Sequence, residues 1–161
     1  MDLFMLNVKQ RLIDAFIQTW MAELGDSTRA CTYVTYADFV FHSYLSDVNI
    51  SKYRIALCRL RVSAHKLEIE AGRWHKPVAI PRNDRKCIVC NVLEDEFHFV
   101  LECNLYKELR EQYLKKYFYY RPSMLKFIEL FKSNNAIVNR NLAVYVYKAM
   151  ELRDKFYMYY G

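Results

Sequence analysis

Apolar positions recur at helical spacing along most of the 161-residue chain, and the breaks in that spacing divide it into segments. Leu6, Leu12, Ala15, Phe16, Trp20 and Leu24 predict an amphipathic helix over residues 3 to 24, closed by Gly25-Asp26-Ser27. Residues 31 to 48 begin aromatic and β-branched, and a short helix is expected near 35 to 46. Ser51 is placed to cap a helix from 52 to about 71 that Gly72 ends. Leu57, Leu60, Ala64, Leu67 and Ala71 form its inner stripe, and Ile55, Val62 and Ile69 widen it. Asn104 is expected to cap a helix through about 119, and Ser123 another to about 132. Past Asn134-Asn135 a last helix runs from 136 to about 159, its Tyr and Val positions reading as core.

Composition supports the helical reading. Only three Gly and three Pro punctuate the chain, too few for a strand-and-turn fold. Apolar residues make up 53%, with ten Phe and fourteen Tyr, enough for a real core. The expected fold class is mainly α, a helical domain built around a small Cys-Cys-His-Cys metal site. It divides into a helical segment over 1–50, a basic helix plus metal-site region over 51–120, and terminal helices over 121–161, together one compact domain. Tyr36-Ala37-Asp38-Phe39 resembles a polymerase Tyr-x-Asp-Asp box superficially, but Phe39 stands where the second metal-binding Asp belongs.

Charge changes the picture more. Of the net +6, residues 51 to 90 hold ten basic against three acidic residues, a local balance of +7. Lys52, Arg59, Lys66 and Arg73 recur every seven residues and so line one edge of the expected 52–71 helix and its end. A solvated charged edge is the ordinary meaning of such a pattern. Here acidic residues at four-residue spacing are nearly absent, which favours a polyanionic partner. The connector that follows adds Trp74, Arg82, Arg85 and Lys86. The N-terminal residues lack a signal-peptide pattern, and no apolar run approaches the roughly 18 residues of a membrane span. An intracellular setting, nuclear or cytoplasmic, with reduced thiols is therefore expected, with no membrane partner.

Three of the five cysteines and one of the four histidines fall within residues 87 to 103, CIVCNVLEDEFHFVLEC. The spacing is Cys87-x2-Cys90-x7-His98-x4-Cys103. A Cys-x2-Cys turn converges two thiolates on one ion, and His98 and Cys103 return to complete a tetrahedral set suited to structural Zn²⁺. The competing explanation is three small core thiols and a helix-face histidine; four ligand types in order argue against it. Arg85 and Lys86 offset the charge of three thiolates. Cys31 and Cys58 are expected to be buried fillers. A hydrolytic zinc keeps an open position, whereas four protein ligands close this one. A nucleobase deaminase needs His-x-Glu upstream of its Cys-x-x-Cys, and here Glu96-Phe97-His98 is downstream and reversed. With no phosphate-binding glycine loop and no nucleophile–base pair, no enzyme and no small-molecule substrate are expected.

This cysteine–histidine spacing resembles the C-terminal zinc knuckle of non-LTR retrotransposon reverse transcriptases rather than the retroviral knuckle, whose middle gap is shorter. The flanks are similar too: LRVSAHKLEIEAGRW before the site, LEDEFH entering His98, and CNLYKELR after Cys103. The likeness spans about residues 50 to 115. Asn104 departs from it, standing where such sequences often have Pro. The resemblance implies a retrotransposon-derived segment whose knuckle helps bind RNA or other single-stranded nucleic acid, alone or beside other parts of a reverse transcriptase. It also implies what is missing, since the chain carries no catalytic Asp-Asp pair of a polymerase palm. The expected interface joins Lys52, Arg59, Lys66 and Arg73 with Trp74, Arg82, Arg85 and Lys86. A protein-interaction or purely structural zinc module is the rival expectation.

Overall fold

The computed structural model describes residues 3 to 160. Among them there is no β-strand, only an isolated antiparallel bridge between Lys86 and Leu93, and the protein is mainly α. The helices are α1 (Leu3–Asp26), α2 (Tyr44–Asp47), α3 (Ser51–Arg61), α4 (Glu68–Ala71), α5 (Lys107–Tyr113), α6 (Lys116–Tyr119), α7 (Met124–Phe131) and α8 (Ala136–Tyr160). The spine is α8, which buries Leu142, Ala143, Tyr145, Val146 and Ala149 and packs against α2, α3 and α5. Leu57 and Leu60 of α3, Phe127, Leu130 and Phe131 of α7, and Phe99, Val100 and Leu101 complete a shared core.

The helix expected over 52–71 is two helices. Its first part begins at Ser51, and Ile50 occupies the capping position without a side-chain cap. After Arg61 the chain closes a Schellman-type end: Ala64 N–H donates to the Arg59 carbonyl at 2.8 Å and Ser63 N–H to Leu60 at 3.3 Å. Ser63 takes the left-handed position, φ 53°, that glycine usually fills. What holds it there is distant in sequence, for the Ser63 hydroxyl donates to Glu96 Oε1 at 2.9 Å. As a consequence Leu67 and Ile69 are buried, while Ala64, Ala71, Ile55 and Val62 face solvent.

The helix expected near 35–46 is instead a 3₁₀ turn, Tyr33–Thr35, and the single turn α2. The cause is buried Arg61. Its guanidinium lies 4.9 Å from the Tyr36 ring centre and 4.7 Å from that of Tyr44, and donates to the Phe131 carbonyl at 2.6 Å. Holding both tyrosines around one cation bends the chain between them. In the tetrapeptide that superficially resembles a polymerase box, Tyr36 donates to the Arg61 carbonyl and Asp38 pairs with Lys132 at 3.0 Å. The helix expected from 104 to 119 opens as a 3₁₀ turn, Asn104–Tyr106, and breaks at Leu114–Lys115, where extended backbone lets Leu114 and Phe118 both reach the core.

The helices expected from Ser123 to about 132 and from 136 to about 159 form as α7 and α8. Ser123 caps α7, its hydroxyl accepting from Lys126 N–H, and orients a helix whose Phe127 and Phe131 rings stack at 4.4 Å. Ser123→Ala is expected to destabilise the protein by about 1 kcal/mol, read as a lower urea midpoint with unchanged slope. Helix α1 also forms as its pattern predicts, yet none of its residues is buried. Phe16 and Trp20 meet Phe39 edge-on at 5.4 and 5.7 Å.

Candidate metal centre

The site lies between two turns that hold themselves. In the first, Cys87 N–H donates to the Val92 carbonyl and Asn91 N–H to the Cys87 carbonyl, both at 2.8 Å. Asn91 has φ 53°, a left-handed conformation that asparagine tolerates better than most side chains. In the second, His98–Glu102 forms a π turn closed by Cys103 N–H on the His98 carbonyl at 2.8 Å. That i to i−5 bond makes a wide turn with a ligand at each end. Asp95 Oδ1 accepts from His98 N–H at 2.8 Å and caps it.

The four predicted donors meet. One ligand atom from each of Cys87, Cys90, His98 and Cys103 lies within 4.8 Å of the others. Cys103 Sγ is 3.8 Å from both Cys87 Sγ and Cys90 Sγ. Sulfurs about 2.3 Å from a tetrahedral centre stand about 3.75 Å apart, so the spacing is that of thiolates sharing one ion. Both imidazole nitrogens of His98 are buried without a hydrogen-bond partner, the nearest carboxylate being Glu102 Oε2 at 3.5 Å from Nδ1. A buried imidazole with nothing to bond is costly unless a metal uses it. The residues therefore fit a metal ion.

Electrostatics agree with that fit. The contact with Cys103 holds the Cys87 thiol well below the usual thiol range against the opposing effect of burial. The same contact, with burial, pushes Cys103 up. A dication between the two sulfurs would favour the thiolate form of both. For His98 burial disfavours the imidazolium, but the Cys87 thiolate and Glu102 outweigh it and the pKa rises. His75 lies outside the cluster. Cys31 and Cys58 are outside it too, but neither is a buried filler: Cys31 is exposed and Cys58 half-buried.

What fixes the site in the protein is its acidic stretch, which spacing alone did not reveal. Glu94, 1% exposed, accepts from Arg153 Nη2 at 2.7 Å and Nε at 2.9 Å, from Tyr157, and from Glu68 N–H at 2.7 Å. One carboxylate thus caps α4 and ties the site to α8. Glu96 accepts from Thr32 at 2.7 Å and Ser63 at 2.9 Å, with His65 Nε2 2.9 Å away. Burial pushes the Glu96 pKa up, but these partners, His65 first, bring it below the usual value. From the far side, Tyr145 donates to the Phe99 and Val100 carbonyls, and Arg110 to those of Val100, Glu102 and Cys103.

The expected nucleic-acid residues do not lie on one helix edge, because α3 ends at Arg61. Lys52, Arg59 and Lys66 still meet, lining a groove of about 560 Å³ between α3 and α8 with Ile55, Ala56 and Met150. Arg73 is diverted to Glu70 at 2.9 Å and to Thr28. Arg85 is 8% exposed and donates to the Ile80 and Ile69 carbonyls. Its chain lies so close to Gly72 that a Cβ there would come within 2.7 Å of Arg85 Cγ. It is a buried strut rather than a contact for phosphate. Trp74 is 72% exposed, and Arg82 and Lys86 are exposed with it.

Comparison with known protein families, curated proteins and solved structures finds no match. The convergence of Cys87, Cys90, His98 and Cys103 therefore carries the functional reading. Among the described residues, no helix is long and apolar enough to cross a membrane.

Proposed function

We propose that this protein is a zinc-stabilised nucleic-acid-binding module, related to the C-terminal part of a retrotransposon reverse transcriptase and without catalytic activity of its own. The observation that carries the reading is the convergence of Cys87, Cys90, His98 and Cys103, with exposed Trp74, Arg82 and Lys86 on the segment leading into it. Zn²⁺ suits three thiolates and one imidazole better than harder ions do. Held by those four residues, it would neutralise the thiolates and clamp the two turns together. The basic residues of the α3–α8 groove would track a phosphate backbone, and Trp74 would offer a stacking face. With no base-reading element, binding is expected to tolerate many sequences.

The test uses zinc-loaded protein and labelled single-stranded RNA at two salt concentrations. Each lost phosphate contact flattens the log–log salt slope by about 0.7 for single strands. Arg59→Glu with Lys66→Glu is expected to weaken binding at least about tenfold and flatten the slope by more than one such contact, without unfolding. Trp74→Ala is expected to cost roughly 1–3 kcal/mol with little change in slope. A specific feature favours the rival protein-binding reading: Glu151 and Asp154 share the groove, and Lys66 already pairs with Asp154 at 3.3 Å. Unchanged RNA affinity in the double reversal, with helicity intact, would decide for that rival.

A further inference from the structure

Helix α1 is 24 residues long, about 36 Å, yet buries no side chain. Its apolar positions are not confined to one stripe. Leu3, Met5, Leu12, Phe16 and Met21 all stand open, Leu12 by 67% and Phe16 by 58%. Where α1 meets the body, the surface continues into Phe39 (51% exposed), Val40 and Phe41 (74% exposed), Phe39 touching Phe16 and Trp20. A continuous apolar surface of this extent is rarely left in water.

We infer that α1 pairs antiparallel with α1 of a second copy, making this protein a symmetric dimer. Charge selects that occupant. The half of the described helix before residue 13 carries Lys9 and Arg11 and no acid, whereas the half after it carries Asp14, Glu23 and Asp26 and no base. Two such helices laid antiparallel set basic half against acidic half in both directions, with their dipoles opposed. Lys9, Phe16 and Glu23 are spaced by seven and share one edge, all three exposed. A two-fold axis at Phe16 stacks that residue on its own copy and sets Lys9 against the partner's Glu23. The same axis puts Leu12 opposite the partner's Trp20, beside which Phe39 lies, so each helix also covers the other copy's patch over residues 39 to 41. A two-fold axis makes the contact close on itself, so pairing stops at two. A stable contact needs about 800 Å² per partner, and Phe16, Phe39 and Phe41 are the large open aromatics this face offers toward it.

Sedimentation velocity on the zinc-loaded full chain, across a dilution series, tests the pairing. The expected result is a monomer–dimer equilibrium. Lys9→Glu is expected to raise the dimer dissociation constant about tenfold, and Glu23→Lys likewise, because each change makes two symmetry-related pairs repulsive. The double exchange, Lys9→Glu with Glu23→Lys, is expected to restore the original constant. These are exposed surface changes, so folding is preserved. A monomer at the highest soluble concentration overturns the inference and leaves the face to a different protein or to a lipid surface. A dimer indifferent to both single charge changes overturns it equally.

Discussion

Cys103→Ser is expected to release the bound metal and to loosen residues 85 to 105 while the α3–α8 core persists. Cys103 is the sulfur shared by both short contacts, 3.8 Å to Cys87 and 3.8 Å to Cys90, and it is fully buried. Its loss removes one corner of the tetrahedron and leaves His98 and two thiols facing one another in a site they cannot satisfy. Structural zinc contributes roughly 10–16 kcal/mol in small zinc-dependent folds, comparable with the whole stability of an ordinary domain. Elemental analysis should find about one equivalent of zinc in the parent protein and a trace in the variant. Hydrogen exchange should lose protection across 85 to 105. The matched control is Cys31→Ser, an exposed thiol outside the cluster, which should leave both measurements unchanged. Full metal content in purified Cys103→Ser would show that the four-residue set is not the metal site.

Replacing Arg153 with methionine is expected to cost about 3–5 kcal/mol. The guanidinium makes two bonds to Glu94 and a third to Glu68 at 3.2 Å, with the Tyr157 ring 3.8 Å away. Removing the cation leaves the buried Glu94 carboxylate with dipoles but no counter-charge. Because Glu94 also caps α4, the damage should spread toward the metal site rather than stay on α8. Urea unfolding measures the loss. Adding Glu94→Gln to Arg153→Met should recover part of it, since the double variant no longer buries an unpaired charge. A strictly additive double variant would mean that the two groups are not coupled, against the contact seen.

The candidate metal site was legible because its donors are local. Four donors within seventeen residues declare themselves through spacing, and geometry had only to bring two adjacent turns together. The helix stop at Ser63 was not legible, for no glycine or proline marks it. Ser63 is held in a left-handed conformation by a carboxylate 33 residues away. Glu94, Asp95 and Glu96 are a case of the same kind. In sequence they form one acidic patch, while in the fold each points to a different element. The basic segment was read as a sum of charges, but packing divides it. Arg61 and Arg85 are interior struts, Arg73 is held by Glu70, and Lys52, Arg59 and Lys66 come together only across the groove. Charge counting sees none of these assignments, because each depends on a partner supplied by another element.

Arg110 anchors the carbonyls of Val100, Glu102 and Cys103 from α5, and Tyr145 holds the start of the same turn from α8. The Cys87–Cys90 turn is braced from outside by less, its Ile88 backbone N–H reaching the Tyr157 hydroxyl of α8, while Cys87 and Asn91 bond within the turn. The two halves of the site are therefore unequal before any ion arrives. His98 and Cys103 sit on the turn that two helices brace, and Cys87 and Cys90 on the turn braced by one side chain of α8. Cys87 and Cys90 would hold an ion from the more lightly braced side, so stripping it should loosen that turn before the other. Hydrogen exchange after chelation should show protection falling first around Asn91 and later across His98–Cys103.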